Sequence, residues 1–200
     1  PINNLLSLLP YSSRDEDALR LLLQGAALIE EGELYRSRAA AILYITASFF
    51  GLEEILPPET AQAVQALSTA DNDVVLHFWF LFNSAYTQLQ KGLLSQNQLG
   101  RIHTTLDRCE ALLDRLYPGV TTASVALKRA KALLFLRQGA RATARKWALS
   151  ALEDARTHQN LYPQGMLFST AIPLLPYLPD LLDRPALTAL LEELAGGMED

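Results

Sequence analysis

Apolar residues recur along this chain at spacings of three and four, and glycines or prolines punctuate the runs. That period marks helices that each bury one broad face. Ser13, with Glu16 three residues on, is placed to cap a helix running to about Gly32. Its apolar face carries Ala18, Leu21, Leu22, Gly25, Leu28 and Ile29. A short helix over residues 5–9 precedes it and stops at Pro10. The partner helix spans residues 33–50 and ends before Gly51. Pro57 and Pro58 interrupt the chain, and PETAQAVQAL then fits a short helix opened by proline in its first turn. Asp71 and Asp73 open a third long helix, ending at Gly92.

Residues 95–100 are either a loop or the first turn of the next helix, which continues to Leu116 before Pro118 and Gly119 stop it. Thr121 or Thr122 starts the helix that ends at Gly139, and residues 141–157 form the following one. Pro173, Pro176 and Pro179 then recur every three residues, so no regular long helix passes through them. Leu174, Leu175, Tyr177 and Leu178 can pack there as irregular turns before a last helix over 185–195, which Gly196 and Gly197 terminate. β-Branched residues are scattered and strict alternation never lasts, which predicts an all-α fold.

Three stretches share one arrangement, an apolar helix closing on a glycine (Gly32, Gly92, Gly139) followed by an alanine- or leucine-rich helix. The Gly139 unit resembles a tetratricopeptide repeat, with small Ala132, aromatic Phe135, Gly139 at the turn, then Ala144, Ala151 and Leu152. The Gly32 unit is similar through Gly25, Leu28, Gly32, Ser37 and Ile45, with Tyr44 where alanine is expected. The Gly92 unit keeps Ala85, Gly92, Ala111 and Leu112, with about seven additional residues after the turn. The resemblance covers about half the chain, and the glycines lie 60 and 47 residues apart.

That resemblance implies a divergent tetratricopeptide-like (TPR-like) domain over 1–200, with antiparallel helix pairs stacked as a short right-handed superhelix. The pairs fall near 14–50, 71–117 and 120–158, and an irregular proline-rich C-terminal cap spans 161–197. An ordinary helical bundle is the alternative, with the same alanines and leucines serving only as core. In TPR-like stacks the first helix of each pair lines the concave face. Here that face would include Leu22, Ala26 and Ile29, an aromatic stripe of Trp79, Phe82 and Tyr86 with Asn83 and Leu89, and Arg129, Leu133, Leu136 and Arg137. The stripe has two readings, a groove that takes an apolar anchor or part of the core.

Half the residues are hydrophobic and 20% are charged, which excludes a disordered tail, and the net charge of −5 argues against general affinity for nucleic acid or anionic membrane. The distribution is uneven. Residues 115–152 contain no acid and carry +8, while acids flank them on both sides. Arg141 and Arg145 lie four apart on one helix, an arrangement that costs about 0.2–0.5 kcal/mol unless something neutralises it. Acids on neighbouring helices can do so, as can a partner's carboxylates or phosphates.

His77, His103 and His158 are far apart and Cys109 has no second thiol, so neither a metal cluster nor an internal disulfide is expected. No glycine-rich phosphate loop or nucleophile elbow occurs, and Glu30, Glu31 and Glu33 read as a solvated helix end. The start lacks a charged leader, and the apolar runs are too short for a bilayer span, so an intracellular, soluble protein of cytoplasm or nucleus is expected. The expected function is a protein–protein interaction module or scaffold subunit, not an enzyme and without a cofactor. Its apolar and basic groove would hold a partner protein or peptide with an acidic segment through Trp79, Phe82, Asn83, Tyr86, Arg129, Leu133, Arg137, Arg141 and Arg145. The alternative is an effector- or peptide-sensing regulatory domain of a larger transcriptional or signalling protein.

Overall fold

A computed structural model describes residues 15–49, 52–70, 73–90, 93–116, 121–157, 167 and 170–196. Every regular element among them is helical. The chain forms two compact units, residues 1–90 and 91–200. The expected short helix over 5–9, the Ser13 cap, the helix end at Gly92 and the stop at Pro118 and Gly119 lie outside the described residues.

The first unit contains α1 (Asp15–Glu31), α2 (Arg38–Phe49), a 3₁₀ turn (Glu53–Ile55), α3 (Pro58–Ala70) and α4 (Val74–Gln90). Helix α2 is its hub, packing against α1, α3 and α4. Leu22, Ala26 and Ile29 of α1 close on Ala40, Leu43 and Ala47 of α2, with Leu56 beneath them. Gly25 permits that approach, since a Cβ there would lie 2.9 Å from Leu43 Cδ1. Ala41, Val64 and Leu76 join α2, α3 and α4 in a second cluster. Leu28, expected on the buried face, is 53% exposed, and Leu23 and Leu19 are exposed as well. The buried seam of α1 is therefore narrower than its apolar pattern, because the close Gly25 contact seats the helix on residues 22, 26 and 29.

The second unit contains α5 (Gln96–Leu116), α6 (Thr122–Arg137), α7 (Arg141–Thr157), a 3₁₀ turn (Ile172–Tyr177), α8 (Leu178–Leu181) and α9 (Arg184–Gly196). Helix α6 packs against both α5 and α7. Helix α5 buries Leu99, Ile102, Leu106, Cys109 and Leu113, a seam spaced three and four. Helix α7 buries Ala144, Ala148, Ala151 and Ala155, and small residues at that spacing let two helix axes approach closely. The prolines at 173 and 176 lie in the 3₁₀ segment, which continues into α8 and packs with it, and α8 covers part of α7.

Local signals set most boundaries. Asp73 Oδ1 accepts from the Leu76 N–H at 3.1 Å at the start of α4. Ser95 and Gln98 form a reciprocal cap, so α5 begins at Gln96 and the loop alternative falls. Thr121, rather than Thr122, caps α6 and exchanges hydrogen bonds with Ser124. The partner helix expected from residue 33 begins instead at Arg38, because residues 32–37 turn the chain and Ser37 Oγ accepts from the Ala40 N–H at 3.1 Å.

Two helix ends share one hydrogen-bond pattern but not one residue order. At α6, Ala140 N–H bonds Phe135 O and Gly139 N–H bonds Leu136 O, with Gly139 at φ 77°. At α1, Leu34 N–H bonds Ile29 O and Glu33 N–H bonds Glu30 O. There the left-handed residue is Glu33, at φ 50°, and Gly32 sits one position earlier. Both are Schellman ends, so the glycines that suggested a common repeat register are offset by one residue. Glu33→Gly should stabilise the chain by about 0.5–1 kcal/mol, the relieved left-handed strain exceeding the added unfolded-state entropy. Gly139→Ala should destabilise it by about 1 kcal/mol or slightly more, a purely conformational effect. A Cβ at 139 meets nothing within 4 Å. Urea titrations of the two variants check the opposed signs, and equal signs would remove the cap assignment.

Candidate functional site

Helix α4 carries a ladder at i, i+4 and i+8 in which Phe78, rather than the Trp79 of the expected stripe, joins Phe82 and Tyr86. Phe78 and Phe82 stack at 5.8 Å between ring centroids, and Phe82 and Tyr86 at 5.5 Å, each within 12° of parallel. Trp79 meets Phe82 edge-on at 5.6 Å. The groove expectation is corrected here: Phe82 is 0% exposed, Asn83 and Tyr86 are buried, and only Trp79 remains half-buried. Asn83 explains part of the arrangement, since its Nδ2 donates to the Ile45 carbonyl of α2 at 2.7 Å. A side-chain amide that reaches a helical carbonyl tethers α4 to α2 and is committed to the core. Leu22, Ala26, Ile29 and Leu89, also expected along an open face, are buried too.

The basic stretch divides in the same way. Arg129 and Leu133 are buried within α6 and cannot line an accessible groove. Lys128 pairs with Asp154 of α7. Lys131 Nζ lies 2.7 Å from Glu110 Oε2 and 3.1 Å from Asp107 Oδ1, both on α5, and 4.9 Å from the centroid of Trp147 on α7. Acids on neighbouring helices thus meet Lys128 and Lys131, two of the eight cations of residues 115–152. Arg137, Arg141 and Arg145 differ in being exposed around the α6–α7 turn. Arg141 faces Asp180 at 3.9 Å and Arg145 faces Asp183 at 3.6 Å. Asp183 also accepts from the Ala186 N–H at the start of α9, which fixes its position.

A recess of about 540 Å³ opens in the first unit. Ala26 and Tyr35 line it on the side of α1 and its turn, and residues 55–58 form another wall. Glu30 and Glu59 complete the lining, both exposed. The Thr60 N–H donates to the Pro57 carbonyl at 2.9 Å, and two adjacent prolines hold the loop stiff. Sequence reasoning missed this place. Glu30 is exposed at its helix end, as expected, and Pro57 and Pro58 read as punctuation; no local window contains the α1 turn bringing Glu30 and Tyr35 together with a loop 20 or more residues away. The only available signal was the rigid proline pair.

Reactive chemistry is muted in the described residues. Burial pushes the Cys109 thiol up to about 12, against a weaker opposing pull from the Lys131 charge, so it is a neutral apolar filler of the α5 seam. His103 packs edge-on against Phe135 at 5.4 Å and lies 3.8 Å from Asp107. No group of three or more metal-binding side chains occurs among the described residues, and none of their helices is long and apolar enough to cross a membrane. Comparison with protein families, with curated proteins and with solved structures finds no match to this chain.

Proposed function

We propose that this chain is a protein-interaction module or scaffold subunit, of TPR-like stacked helix pairs with a proline-rich cap, whose role is binding rather than catalysis. The observation that carries this reading is the exposure of Arg137, Arg141 and Arg145 around one turn, where Arg141 and Arg145 meet acids only at 3.9 and 3.6 Å. Exposed pairs at such distances contribute about 0–1 kcal/mol. A partner's acidic segment can replace Asp180 and Asp183 with little loss, while packed helices beneath the arginines lose little ordering entropy on binding. The basic site is thereby confined to these three residues, without Arg129, Leu133 or the aromatic ladder.

The test is a tagged full chain and its R137E/R141E/R145E variant, each used to retain partners from the source cell. The expected result is a partner held by the parent at low salt and lost by the variant, with unchanged helical circular dichroism. Equal retention by both removes the arginine turn as a site. A second reading, an effector- or peptide-sensing regulatory domain, is favoured by the recess beside α1, which belongs to the other unit and is independent of the arginines.

A further inference from the structure

We infer that the recess between the α1 turn and the 55–58 loop binds a lysine or arginine side chain of an extended peptide segment, stem against the apolar wall and cation toward Glu30 and Glu59. The inference gives a ligand class to the peptide-sensing reading and does not draw on the arginine turn, so the two stand or fall separately.

Three features select this class. Ile55 and Pro57 are half-buried at the recess and offer methylene groups a small apolar surface, while Leu56 and Ala26 are buried there. Among the side chains lining it the charged ones are both carboxylates, and Tyr35 adds a half-buried ring whose face favours a cation. An anionic ligand would meet repulsion there. The surrounding charge has the same sign: residues 1–90 contain 11 acidic and 4 basic side chains, for −7, whereas residues 91–200 contain 11 and 13, for +2. Glu31, Glu33 and Glu54 are exposed on the flanking turns against one exposed cation there, Arg36, and Arg38 is engaged by Asp73 at 2.9 Å. A field of one sign steers an opposite charge toward a concave site.

Size argues for a peptide over a free amine. About 540 Å³ lies within the range of roughly 300–1,000 Å³ typical of ligand sites and exceeds what one alkylammonium fills. Residues adjoining the basic one would occupy the remainder. The proline pair and the Thr60 hydrogen bond fix the wall before binding, so little ordering is lost there.

The experiment uses the ¹⁵N-labelled full chain and blocked peptides Ac-Ala-Arg-Ala-NH2, its norleucine and glutamate counterparts, and butylguanidinium. The arginine peptide should shift the amides of Tyr35, Ile55 and Leu56 at millimolar concentration. The norleucine peptide should bind at least about tenfold more weakly, and the E30Q/E59Q variant should lose the arginine peptide by a similar factor. Both substituted carboxylates are exposed, and an unchanged amide spectrum elsewhere confirms the fold. No shift at those amides, equal binding of the norleucine or glutamate peptide, or undiminished binding by the variant overturns the inference. Butylguanidinium binding as tightly as the peptide would overturn the peptide source. Loss of this binding with retention of a partner at Arg137, Arg141 and Arg145 leaves the interaction reading standing, and the converse pattern leaves the recess.

Discussion

Phe82→Ala should lower the stability of the first unit by about 3–5 kcal/mol, the range for removing a buried aromatic ring. Phe82 is fully enclosed, and its ring is stacked against both Phe78 and Tyr86, so truncation leaves a void between two rings that their own helix holds in place. Partial collapse is the usual relief for such a void. Here it is opposed by the Asn83 tether to the Ile45 carbonyl, which restrains α4 one residue away. Chemical denaturation followed by tryptophan fluorescence in a W147F background reports this unit alone, because Trp79 then remains as the single tryptophan. The midpoint should fall with little change in slope. A loss below about 0.5 kcal/mol, ordinary for a surface position, would return Phe82 to an open groove and remove the assignment of the ladder to the core.

The difference between groove and core was not legible in residues 74–90. Phe78, Phe82 and Tyr86 share one helix face in either case, and periodicity records that they face something without recording what. The structural sign was Asn83, a polar residue inside the apolar run. Its amide is tied to a carbonyl 38 residues away, a relation that no local window contains. Charge was harder still: a window over residues 115–152 sees eight cations and no acid, whereas the acids that pair with Lys131 come from α5 and those facing Arg141 and Arg145 are Asp180 and Asp183, about 40 residues on. What the sequence did disclose was governed by nearby atoms. Thr121 and Ser124, Ser95 and Gln98, and Asp73 each open a helix through contacts within a few residues, although the sequence left two readings of residues 95–100 and the choice between Thr121 and Thr122. Glu33 marks the limit of even that reading, since Gly32 beside it invited the left-handed position and the chain placed glutamate there. A Cβ at Gly32 would lie 3.0 Å from Leu34 Cγ and 3.2 Å from the Leu28 carbonyl, so the glycine serves close approach at the cap.

Removing both acids that hold Lys131 should cost more than removing Lys131 itself. The D107N/E110Q variant leaves a cation whose side chain is 5% exposed with no carboxylate partner, and Trp147 alone compensates it poorly. Breaking a buried pair in this way costs about 3–5 kcal/mol, and about 2–3 kcal/mol is expected here because Asp107 and Glu110 are each about half exposed. Lys131→Met instead removes the buried charge and keeps an unbranched stem against Trp147. The two acids can then rehydrate, so the loss should stay below about 1.5 kcal/mol. Unfolding followed by Trp147 fluorescence in a W79F background measures both in the second unit. The order of the two losses is the informative result. If Lys131→Met proved the more damaging, the lysine would be a net source of stability and the clamp of α5, α6 and α7 would rest on the ion pairs. With the expected order, the alanine and leucine seams hold the three helices together, and the charges fix which face of α6 meets α5.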